Sequence, residues 1–167
     1  MTQTLRHDGV LIIGGGMAGL SAALEAAPRR ALVITPAPLL EACSSAWAQG
    51  GVAAALRGED SAELHAADTL AAGAGLVVPE AAHALTSDGR GTIEWLAGLG
   101  APFDRTAGGD FAVGLEAAHS RARVARVGGD GAGRAILSTL VVALRGARHV
   151  TTWDSARLRD LIQNAEG

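Results

Sequence analysis

The chain contains no lysine: all 14 of its basic residues are arginine. That absence excludes a lysine nucleophile, a lysine Schiff base and the lysine-bearing phosphate loop of nucleotide triphosphatases. Cysteine is almost missing too. Cys43 stands alone, so neither an internal disulfide framework nor a cysteine-rich metal site can form. Aromatic residues are only 3% of the chain, which disfavours an aromatic-rich β sandwich. No apolar run approaches the roughly 18 residues that span a bilayer. Met1 to Asp8 is polar rather than signal-like, so a cytoplasmic setting without a membrane partner is expected. With 17 acidic residues against 14 basic ones, a net charge of −3 and no basic run, nucleic acid is not an expected partner.

What is present points to a packed α/β protein. Hydrophobic residues make up 49% and charged residues 19% of 167 residues, which excludes a disordered polyampholyte. That length suits one domain or one piece of a larger enzyme. The 23 glycines allow close backbone approaches of the kind nucleotide-binding α/β folds use.

Val10 to Ile13 is wholly apolar, as for a strand buried on both faces of a parallel sheet. Three glycines follow, then helical spacing from Met17 to Ala27, a stop at Pro28 and a second apolar strand from Ala31 to Thr35. This is a β-turn-α-β unit of about thirty residues. Pro36 to Leu56 reads as loop. Asp60 and Glu63 form a capping box for a helix reaching Ala72. Helices are expected at Pro79–Ser87, at Thr92–Leu99 with Gly100 as stop, and at Arg134–Leu144. Ala101 to His119 reads as irregular, with a turn at Gly108-Gly109-Asp110. His149 to Trp153 is a returning strand, and Asp154 to Gly167 fits either a strand or a short helix.

Gly14-Gly15-Gly16-Met17-Ala18-Gly19 is a G-x-G-x-x-G between a strand and a helix. Its glycines let the backbone turn tightly and approach a pyrophosphate, which rests on the positive helix N-terminus. The motif does not settle which dinucleotide. The acidic residue that usually ends the second strand and bonds a ribose is replaced here by Thr35, followed by Pro36. The standard NAD reading loses that support.

The segment Ser44-Ser45-Ala46-Trp47-Ala48-Gln49-Gly50-Gly51-Val52-Ala53-Ala54 resembles the signature of the L-aspartate oxidase family, relatives of the succinate dehydrogenase and fumarate reductase flavoproteins. The resemblance continues through His65 to Leu76, Glu94-Trp95-Leu96, Gly100 to Asp104, Glu116 to Ser120 and Gly128 to Gly133, in the family's order. It implies a Rossmann-like FAD-binding domain with a parallel sheet, and FAD as cofactor. Gly14, Gly15, Gly16, Ala18 and Gly19 would hold the pyrophosphate, with Thr35 beside them. Ser44, Ser45, Ala46, Trp47, Ala48, Gln49, Gly50 and Gly51 would wrap the flavin, and Asp130 would lie at its end. Backbone donors there stabilise negative charge on a reduced flavin. Succinate dehydrogenase-like proteins attach FAD covalently through a histidine where this chain has Ser44, so non-covalent FAD is expected. Family members often carry a lysine where Pro36 stands, which implies a weaker phosphate or ribose contact.

The same resemblance gives Glu116 the task of orienting the α-amino group of L-aspartate, with His119 and Arg123 adding hydrogen-bonding or cationic character beside a dicarboxylate. On composition alone this stretch reads as a solvated charged loop. His7, His65, His83 and His149 read as structural or surface residues, and no cluster has metal-ligand spacing. The implied activity is oxidation of L-aspartate to iminosuccinate, with oxygen or fumarate as acceptor and quinolinate synthase as a further partner on the route to NAD. Family members are much longer, so residues 1–167 read as the N-terminal part of the FAD-binding domain, lacking capping and C-terminal helical domains and inactive alone. Two other readings stay open: a fumarate reductase or succinate dehydrogenase-type flavoprotein, and a non-catalytic FAD-binding module. Ser44 and Glu116 favour the oxidase over the former.

Overall fold

The structure, a computed structural model, describes residues 4–41 and 43–162. It divides into two units, one formed by Met1–Trp47 with Leu137–Gly167 and the other by Ala48–Ile136.

The first unit is built on a parallel sheet. Strand β1 (Val10–Ile13) pairs with β2 (Ala31–Ile34), which pairs with β6 (Val150–Trp153), so β2 is central. Val10 stands opposite Ala31, and Ala31 opposite Val150. All four residues of β2 are buried, as an apolar strand flanked on both edges should be. β1 differs from the expectation of double burial, because Ile13 is 51% exposed at its end. Helix α1 (Met17–Glu25) buries Leu20 and Ala23, three residues apart on one face. It ends two residues before the reading from spacing, with Ala26 as cap. Helix α5 (Ala132–Gly146) is longer at both ends than the periodicity suggested. Its buried Ile136, Leu137, Leu140, Val141 and Leu144 form one apolar stripe. His149 is structural, its Nε2 lying 3.0 Å from the Ala23 carbonyl. Beyond β6 the chain is irregular through residue 162, correcting the strand-or-helix expectation there. Residues 163–167 of that expectation lie outside the described residues.

The second unit holds helices α2 (Ala62–Ala72), α3 (Pro79–Ser87) and α4 (Gly89–Gly98) and an antiparallel sheet in the order β3 (Val52–Ala53), β5 (Val124–Ala125), β4 (Val113–Gly114). Two stretches read as loop therefore contain short strands. Helix α4 starts three residues early, at Gly89, whose added Cβ would sit 3.2 Å from that of Ala54. Gly100 follows α4 with a φ of 98°, as a helix stop requires. The capping box is corrected as well. Ser61 is the N-cap of α2, its side chain accepting from the Leu64 amide.

Asp60 is engaged elsewhere. Arg123 is fully buried, and its Nε and Nη2 donate to the two Asp60 carboxylate oxygens at 2.9 and 2.7 Å. Its Nη1 donates to Asp68 Oδ2 at 2.6 Å. The Asp60 side chain is 1% exposed and that of Asp68 18%. Burial pulls the Arg123 pKa down, and the bonds to Asp60 and Asp68 more than offset this. The amide and hydroxyl of Ser120, with Arg123, hold the Asp68 carboxyl at about 2. Desolvation lowers the His65 pKa below its ordinary 6.5, with Arg123 and His119 adding to the shift.

Removing the cation strands two carboxylates, so Arg123→Met should destabilise the protein by about 3–5 kcal/mol in denaturant unfolding. The acid limb of stability follows from the same groups. Unfolded His65 binds protons more readily than folded His65, so stability falls as pH drops below 6.5. The contribution of Asp68 is complete above its ordinary 3.8 and is lost as pH falls toward about 2. Unfolding curves across pH should therefore lose the lowest step in Asp68→Asn and keep the one below 6.5.

Candidate functional site

The glycine turn leaves the carboxyl end of β1. Gly14 donates its amide to the Ile34 carbonyl at 2.9 Å and then turns with a φ of 116°, a conformation that favours glycine. Nothing lies within 4 Å of where its Cβ would be, so the turn opens onto free space. A Cβ on Gly19 would run into the Gly14 carbonyl. That glycine is what lets the helix start this close to the strand. Gly16 is the N-cap of α1 and brings no side chain of its own to the helix mouth.

Two residues distant in sequence complete this mouth. Thr35 is 3% exposed, and its Oγ1 lies 3.2 Å from the Cβ position of Gly15. Ser45 Oγ accepts the Met17 amide at 3.2 Å and sits 3.2 Å from the Cβ position of Gly16. Ser44–Trp47 forms a single 3₁₀ turn with Ala46 buried and Trp47 74% exposed. The first unit therefore gathers the glycine turn, Thr35 and Ser44–Trp47. A cradle that any Cβ would fill, at the positive end of a helix and without an acidic side chain, fits a dinucleotide pyrophosphate. Ala18 lies exposed in the first turn of α1.

The rest of the expected flavin segment, Ala48–Gly51, belongs to the second unit. The Ala48 carbonyl accepts the Gly133 amide at 2.9 Å, in the first turn of α5. Ala48, Gln49 and Gly50 are exposed. A Cβ on Gly51 would meet the Ala125 carbonyl, so glycine there is a packing requirement of β3 against β5. Asp130 is exposed just ahead of α5, after Gly128 and Gly129 with φ of 49° and 80°.

Glu116 lies beside this segment. Both of its carboxylate oxygens are 3.6 Å from the Cβ position of Gly50. It opens a tight turn in which the His119 amide donates to the Glu116 carbonyl at 3.2 Å. Ala118 carries the φ of 71° that a type II turn needs at its third position. The next residue, Ser120, donates both amide and hydroxyl to Asp68 Oδ2, at 2.7 and 2.8 Å. The His119 ring stands edge-on to His65 with centroids 5.4 Å apart, and Nδ1 of each is buried without a partner.

Of the three residues expected near substrate, Glu116 and His119 share this turn, whereas Arg123 is turned inward onto Asp60 and Asp68. The cation beside a dicarboxylate that the sequence suggested is thus internally paired. His65 is a member of the cluster and not an isolated structural histidine. The pairing of Asp60 and Asp68 with Arg123, and of Ser120 with Asp68, escaped the sequence reading. A usable signal existed: His65 and Asp68 are spaced i,i+3 and so share a helix face. Among the described residues no group of three histidine, cysteine or acidic side chains could hold a metal ion, and no helix is long and apolar enough to cross a membrane.

The FAD binding domain family matches residues 9–167. The L-aspartate oxidase of Caulobacter vibrioides is 55% identical over 171 residues, covering 100% of this chain and 34% of that protein. The L-aspartate oxidase of Agrobacterium fabrum is 45% identical over 157 residues, covering 94% of this chain and 30% of that protein. The chain thus spans about a third of the length of the curated relatives it matches. Among solved structures, E. coli quinol fumarate reductase superposes with a TM-score of 0.82 at 25% identity, over 87% of this chain and 25% of that one. Mycobacterium smegmatis Sdh1 gives a TM-score of 0.81 at 26% identity, over 89% and 28% respectively. The resemblance to L-aspartate oxidases drawn from the motifs therefore extends across the chain. Glycine turn, parallel sheet and comparisons converge: the chain belongs to the FAD binding domain family, whose cofactor is FAD.

Proposed function

We propose that the chain is the N-terminal part of the FAD-binding domain of an L-aspartate oxidase, with capping and helical domains supplied by sequence beyond residues 1–167. Identity of 55% to one such oxidase over the whole chain supports the family reading. The observation that carries the substrate reading is Glu116, whose carboxylate faces Gly50 of the proposed flavin segment. Gly14, Gly15, Gly16, Ala18, Gly19 and Thr35 hold the dinucleotide phosphates, Ser44 to Gly51 wrap the flavin, and Asp130 lies at its end. Bound by these residues, FAD would supply the acceptor for the hydride on Cα of L-aspartate, with oxygen or fumarate as the final electron acceptor.

The chain's own contribution is recognition. L-Aspartate differs from succinate by the ammonium on Cα. A carboxylate at hydrogen-bond distance holds that ammonium by a charge-assisted bond of about 1.5–3 kcal/mol. His119, on the same turn, adds a ring nitrogen for a substrate carboxylate. The product, iminosuccinate, is passed in the cytoplasm to quinolinate synthase on the route to NAD.

The fumarate reductase-type reading is favoured only by the fold likeness, and Ser44 opposes it because a hydroxyl cannot make the histidyl flavin link. Acid precipitation of the holoprotein should leave flavin in the supernatant; flavin retained in the pellet would reverse the choice. In the full-length holoenzyme, Glu116→Gln should lower kcat/KM for L-aspartate by roughly ten- to a hundredfold. Fumarate carries no ammonium, and its reduction should change far less. Parallel loss of both activities, or unchanged aspartate turnover, would return Glu116 to the status of a loop carboxylate.

A further inference from the structure

Asp68 Oδ2 is the acceptor for three donors: the Ser120 amide at 2.7 Å, the Ser120 hydroxyl at 2.8 Å and Arg123 Nη1 at 2.6 Å. Arg123 needs no help from Ser120 to be satisfied, because Asp60 takes two of its donors in a bidentate pair. The Ser120 bonds therefore do something other than neutralise a buried charge. They fasten the residue that directly follows the Glu116–His119 turn to the face of α2. The same face carries His65, whose ring meets that of His119. Ser120 itself is exposed, so little apolar surface depends on where it sits.

Resting on the reading that Glu116 meets a substrate ammonium, we propose that Asp68 is a positioning residue. Fixed by Arg123, it grips Ser120 and so holds the Glu116 turn beside Gly50. The turn needs such a grip. Ala118 sits at a φ of 71°, an uncommon and strained conformation for a residue with a Cβ. The turn's own closure is a single 3.2 Å bond. Asp68 does not touch substrate in this scheme; it acts through Ser120 and the turn.

The test uses the full-length holoenzyme and two variants, Asp68→Asn and Ser120→Ala, with Ser120→Thr as the conservative rescue. Amide hydrogen exchange without substrate reads the turn directly. Exchange over residues 116–120 should accelerate in both variants and return toward wild type in Ser120→Thr, while α2 keeps its protection. Kinetics read the consequence. KM for L-aspartate should rise roughly tenfold with kcat changed less, and fumarate reduction should be nearly spared. Unchanged exchange over 116–120 would overturn the proposal, as would KM and kcat falling off together for both substrates. A wild-type enzyme that oxidises no L-aspartate would sink the function reading and the substrate half of the proposal with it. Exchange at Ser120 would still decide whether Asp68 holds the turn.

Discussion

A guanidinium without solvent contact must have its charge answered by the protein, and in the second unit Arg123 is answered by Asp60 and Asp68 together. Isolated buried charges are among the most costly features a fold can carry, so these partners are obligatory. Their positions fix much around them. Asp60 precedes α2, Asp68 lies two turns into it, and Arg123 opens the approach to β5. The backbone joins in, since the Ala54 amide donates to the Arg123 carbonyl and the Arg123 amide to that of Gly114. One residue thereby ties the start of a helix to three short strands that would be marginal alone. The lysine-free composition is consistent with this use. A planar fork can serve two carboxylates at once, and an ammonium on a flexible stem cannot do so with the same geometry.

The first unit rests on a different constraint, the exclusion of side chains. Gly14 supplies a backbone conformation, Gly16 a helix N-cap without a side chain, and Gly19 a backbone approach that no Cβ would allow. What remains is a helix N-terminus with open space at Gly14 and the hydroxyls of Thr35 and Ser45 beside Gly15 and Gly16. Such an arrangement attracts an anion through fixed partial charges and needs no cationic side chain. A pyrophosphate held at this turn would need neither lysine nor arginine.

Much of the fold was legible because its signals are long or chemically singular. Apolar runs gave β1 and β2, β6 and α3 were placed to within about a residue, and the glycine fingerprint located the turn. Strands β3, β4 and β5 were not legible: two residues show no alternation, and pairing across the chain is what makes them strands. Asp60 was misread because an acid three residues before Glu63 satisfies the capping pattern, while its real partner lies 63 residues away. Helix α4 was expected from Thr92, and it begins at Gly89, which packs closely against Ala54. At the site, motif resemblance pointed to Glu116, His119 and Arg123; the first two share a turn, and Arg123 is buried against Asp60 and Asp68. Charge type is visible in a sequence, but burial and pairing are decided by the chain that folds around it.

The substrate reading rests on an acid, Glu116, that would receive an ammonium. Its most direct measurement compares substrates on the full-length holoenzyme, following flavin bleaching under anaerobic conditions with L-aspartate and with succinate in parallel. Rapid bleaching by L-aspartate with none by succinate is the expected result. Bleaching by succinate with L-aspartate inert would contradict the account and return the protein to the dicarboxylate dehydrogenases.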